Sequence, residues 1–126
     1  MRYSLASFLV LLFLTSSVDT VAAAETKAVQ TMAGILLKLN HFPSDGDKEA
    51  LKGIVENEET SEHERVVAQA LINLEHKVSA DGKPKLEALL KDESASESVK
   101  TLAMVLVNLA HTPTEADKEK LQKLVP

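Results

Sequence analysis

The chain has 126 residues, 44% hydrophobic and 26% charged, the make-up of a folded domain; its net charge of −5 argues against general nucleic-acid binding, which rests on neutralising phosphates. It has no cysteine, which excludes disulfides, thiolate metal sites, cysteine nucleophiles and a lipobox lipid anchor. With one Tyr, three Phe and no Trp, it has few ring faces for sugar platforms, base stacking or aromatic cages.

The N-terminus reads as a secretory signal, residues 1–24. Arg2 supplies the positive start, Leu5 to Leu14 the apolar run, and Ala22-Ala23-Ala24 the small residues before a cleavage point ahead of Glu25. A retained anchor would need about 20 apolar residues to span a bilayer as a helix, roughly twice that run. Cleavage removes one cation, Arg2, and one anion, Asp19, so the mature chain stays acidic, with Phe42 as its last aromatic. Residues 25–126 suffice for one domain with a modest core, expected in the periplasm or secreted, without membrane insertion.

From residue 26 onward a 35-residue repeat organises the chain. His41, His76 and His111 keep one register with Ala33, Ala68 and Ala103, with Leu36, Leu71 and Leu106, and with Leu39, Leu74 and Leu109. Lys48, Lys83 and Lys118 follow, then Leu51, Leu86 and Leu121, then Ile54, Leu89 and Leu124. The units lie near 26–60, 61–95 and 96–126. Each holds a long helical pattern (26–40, 62–76, 97–111) and a short one (45–57, 80–92, 115–125). Ser61 with Glu64 reads as a capping box, with Ser44–Asp47 and Thr114–Asp117 as acidic variants. Pro84 falls in the first turns of a short helix, and Pro43 and Pro113 in the turns between long and short helices. Nothing alternates with period two, so the chain is expected to be all-α.

The run Leu86-Glu87-Ala88-Leu89-Leu90-Lys91-Asp92, then Val99-Lys100-Thr101-Leu102-Ala103, then Leu106 and Leu109, resembles the HEAT-like (armadillo/HEAT-type) helical repeats. Asn57, Arg65 and Val66 echo the pattern one unit earlier. A tetratricopeptide repeat of similar period wants aromatics in its first helix, and none are present. The resemblance implies a short right-handed α-solenoid of antiparallel helix pairs, about six helices, used to bind other macromolecules.

The long helices are apolar over most of their circumference and leave one polar stripe each. It runs Gln30, Gly34, Lys38, His41; then Arg65, Gln69, Asn73, His76; then Lys100, Met104, Asn108, His111. No carboxylate lies on it, while Glu56, Glu58, Glu59, Glu62 and Glu64 crowd elsewhere. Lys38, His41, Arg65, Gln69, Asn73, His76, Lys100, Met104, Asn108 and His111 are therefore the candidate partner-binding residues, against the plainer reading of a solvated face. Lys120 and Lys123 replace Ala50 and Gly53 and suggest a C-terminal cap. Ala28, Val29 and Met32, on an opening helix with nothing before it, are a candidate self-association face.

Catalysis is not expected. No serine sits in a Gly-x-Ser-x-Gly elbow, the four glycines form no phosphate loop, and no cofactor motif appears. Asp45-Gly46-Asp47 lacks the spacing of a calcium loop, and His63 among glutamates is read as a helix start. In an open stack, successive layers stand about 8–10 Å apart, so three histidines in a ladder cannot share an ion; the expectation is dipole stabilisation at helix ends and no metal site. The expected function is an exported, non-catalytic adaptor or scaffold for an unidentified protein partner. The alternatives are a small inhibitor or immunity-type protein, or a weak metal or cation binder.

Overall fold

The computed structural model describes residues 25–126; the signal-peptide reading of 1–24 lies outside them. Six helices follow in order: α1 Lys27–Leu37, α2 Asp45–Glu56, α3 Glu62–Ile72, α4 Gly82–Lys91, α5 Glu97–Val107 and α6 Glu115–Gln122. Among the described residues there is no strand, and no helix is long and apolar enough to cross a membrane.

Side-chain caps start five of the six helices; at α4 Asp81 makes no cap bond, and at α6 Thr114 accepts from Asp117 N–H without the reciprocal half of the expected box. Ser44 and Ser61 each accept from the backbone of the third helical residue, and Asp47 and Glu64 reach back, completing both capping boxes. Thr26, Ser96 and Thr114 cap α1, α5 and α6 through their hydroxyls. Glu64 is buried and also accepts from the Thr26 hydroxyl, so one carboxylate ties the start of α3 to the start of α1. Ser61→Ala is expected to cost about 1 kcal/mol through the lost cap. The measurement is the urea midpoint; an unchanged midpoint would mean that Glu64 holds this helix start alone.

Burial divides the helices into two sets. α1, α3 and α5 each bury five side chains, whereas α2, α4 and α6 bury one or two. The first set forms the inside: α1, α3 and α5 touch one another in all three pairings. Each outer helix bridges two inner ones, α2 between α1 and α3, α4 between α3 and α5, and α6 between α5 and α1. The outer helices do not touch each other. The last contact closes a circle, so the units run around an axis with near-threefold symmetry rather than along an open stack.

Two features of the chain permit this closure. Ala33, Ala68 and Ala103 are fully buried, and small residues at a helix contact let the axes approach. Past each inner helix the chain turns through a left-handed residue, φ 76° at His41, 66° at His76 and 72° at His111. There the backbone bonds cyclically: His76 N–H donates to the His41 carbonyl (2.8 Å), His111 to His76 (2.7 Å), and His41 to His111 (3.1 Å).

Closure corrects three expectations. The inner helices stop at Leu37, Ile72 and Val107, a few residues short of the periodic pattern, so the histidines occupy turns rather than helix ends. Val29 and Met32 are buried, since α6 packs on α1, and they offer no free self-association face; Ala28 is half-buried. Lys120 and Lys123 are exposed as expected, but α6 joins the last unit to the first instead of ending an array.

Candidate metal centre

The three turns bring His41, His76 and His111 together at the axis. Their Nδ1 atoms form an equilateral triangle, each 3.2 Å from the other two. The rings meet edge-on with centroids 5.0–5.1 Å apart and interplanar angles of 70–82°. His41 is half-buried and the other two are exposed. The ladder geometry assumed from the sequence kept these residues a helix layer apart; rotation about an axis, instead of translation along a stack, makes them converge.

This geometry suits a cation. A tetrahedral ion with bonds of about 2.0–2.1 Å holds its ligand nitrogens about 3.3 Å apart. Without an ion the triangle is hard to satisfy. A neutral imidazole Nδ1 is either a donor or an acceptor, so one N–H can serve two neighbours, but the third contact then sets lone pair against lone pair. Protonating all three would oppose three N–H groups and three charges. A metal ion accepts all three lone pairs at once.

The backbone supports the same reading. A non-glycine residue at positive φ is uncommon, though His is tolerated there better than most, and Gly is the usual choice in such turns. This chain places His there three times. The neighbours vary freely, Asn40 and Phe42, Glu75 and Lys77, Ala110 and Thr112, so the turn itself does not dictate them. Strain of about 1–3 kcal/mol held at one spot is characteristic of functional sites.

The other seven stripe residues are not brought together across units. Lys38 reaches Asp47 (3.8 Å) at the start of α2. Arg65 donates to the carbonyls of Val55 (3.2 Å) and Asn57 (2.7 Å) and pairs with Glu62 (3.4 Å), capping the end of α2. Gln69 and Asn73 line a hollow of about 290 Å³ with Arg65, Ser79 and Lys85. Lys100 and Met104 line a separate one of about 360 Å³ with Leu90 and Lys120, and Asn108 is exposed. Neither of these two hollows is lined by residues of two stripes.

The remaining titratable features have structural partners. His63 Nε2 meets Asp92 Oδ2 at 2.9 Å, across from α3 to the end of α4. The Ser94 hydroxyl and backbone N–H donate to Asp92 Oδ1; with His63 beside it, the carboxyl is held down to about 2. Asp45-Gly46-Asp47 forms the first turn of α2, where Asp47 completes the capping box. Among the described residues, only the three axial histidines form a group able to hold a metal ion.

Comparison with protein-family models, with curated proteins and with solved structures gives no match for this chain.

Proposed function

We propose that this protein binds one first-row transition-metal ion through His41, His76 and His111. The observation that carries this reading is the 3.2 Å triangle of Nδ1 atoms, one from each repeat. Imidazole ligands suit zinc, copper, nickel and iron, whereas calcium and magnesium require oxygen donors, and this centre has none. The stripe residues of the second and third units line separate hollows, while the histidines are the candidates that converge from all three units, which favours the metal reading over the adaptor reading.

An exported location fits this ligand set. In an oxidising compartment thiolate sites are lost to disulfides, while imidazoles keep their ligand strength. If residues 1–24 act as the signal, intact mass of the exported protein gives an N-terminus at Glu25 or one residue earlier. A soluble exported species retaining Met1 would reject the signal.

The function is tested by calorimetry of the mature protein with zinc, copper(II) and calcium at neutral pH. One zinc or copper ion per chain and no response to calcium are expected. Zinc binding that survives replacement of all three axial histidines by alanine would reject the centre.

A further inference from the structure

We infer that the ion held by His41, His76 and His111 keeps a coordination position open to solvent and binds a monodentate anion there. This rests on the metal-centre reading and specifies what the centre does once loaded.

Among the described residues the protein supplies three ligands and no fourth. The group whose ligand atoms lie within 4.8 Å of one another contains the three histidines only. Glu75 is the residue next to His76, yet its carboxylate does not belong to the group. Three nitrogens on one face of an ion leave a tetrahedral position free, the arrangement of zinc sites that retain an exchangeable water or substrate, in contrast to closed four-ligand structural sites. Access is present: His76 and His111 are exposed, as are the flanking residues Asn40, Phe42, Glu75, Lys77, Ala110 and Thr112.

Charge selects the class of ligand. Thiolates or carboxylates would cancel the charge of a divalent ion, but three neutral imidazoles leave the full 2+ in place. A bound cation is then the largest local charge at this end of the axis. An anion offsets it in a way that a neutral donor cannot.

The experiment uses cobalt(II) as the ion and azide as the anion, on the whole mature protein. The chain lacks cysteine, and removal of residues 1–24 leaves no tyrosine or tryptophan, so visible bands report the centre alone. One equivalent of cobalt is expected to give the intense visible bands of a four-coordinate ion. Azide should then shift them in a saturable titration with one anion per ion, and the response should vanish in His111→Ala with helicity unchanged. Cobalt bands that form but ignore azide would overturn the open position and leave the metal centre standing. A metal-dependent dimer by sedimentation, with bands insensitive to azide, would overturn it too, by assigning the fourth position to a second copy. If no bands form and zinc gives no heat, the centre is absent and both readings fall.

Discussion

Replacing His76 with alanine is expected to weaken zinc binding by about a hundredfold or more, with equal losses for His41→Ala and His111→Ala. Structural zinc sites with four ligands bind with roughly 10–16 kcal/mol. One nitrogen among three is therefore worth on the order of 3 kcal/mol, and each 1.4 kcal/mol is about a factor of ten. Near-threefold symmetry makes the three losses alike, because each ring stands 3.2 Å from the other two. His63→Ala is the control: its ring meets Asp92 on α4, away from the axis, and zinc affinity should not change. Glycine separates binding from stability. At φ 66° a Gly at position 76 relieves backbone strain, so His76→Gly should lose the metal yet exceed His76→Ala in apo stability by about 0.5–1 kcal/mol. Calorimetry reads the affinities and urea unfolding the stabilities. A drop for His63→Ala equal to those at the axis would sink the assignment.

The helices were legible because their determinants are local. Ser44, Ser61, Ser96 and Thr114 stand directly before the runs they cap, and the 35-residue register marks Leu36, Leu71 and Leu106 as inward before any packing is known. The rotation between units was not legible. It depends on φ at His41, His76 and His111 and on how closely three buried alanines let the inner helices approach, and neither leaves a periodic trace. A HEAT-like resemblance favours stacking by translation, and with it the histidines stay a layer apart. One clue was present in the residues: in the windows 40–42, 75–77 and 110–112 only the histidine recurs, in a turn where Gly or Asn is the usual choice. Arg65 has a role that its place on the stripe did not reveal: its guanidinium donates to carbonyls at the end of α2.

Closure also sets what a bound metal would do to the fold. The three histidines come from the first, middle and last units, so binding would join both ends of the described chain through one point. Ligand bound only to the native state stabilises it by about 2.7 kcal/mol at a hundred times the dissociation constant. That increment acts on the whole circle, since opening between the first and last units, at the α1–α6 and α1–α5 contacts, separates His41 from His111. The backbone bond from the His41 N–H to the His111 carbonyl is lost in the same event.

Leu71→Ala is expected to destabilise the apo protein by about 2–5 kcal/mol, and Leu36→Ala and Leu106→Ala by similar amounts. All three leucines are 0% exposed and stand one repeat apart on the inner helices. Truncation removes the transfer energy of the lost carbons and leaves a cavity that close-packed neighbours fill only in part. Asn73→Ala, exposed and two residues from Leu71, should stay within about 0.5 kcal/mol. The comparison among leucines distinguishes architectures. In an open stack the end units have one neighbour, so the central leucine would dominate and the outer two would cost less. In a closed circle every inner helix touches the other two, and each leucine sits in an equivalent layer. Urea midpoints of the three variants, with m-values held in common, make the measurement without metal. A Leu71 loss far above the other two would favour the stack and remove the geometric basis of the metal centre, whereas three comparable losses would support the circle without any reference to the ion.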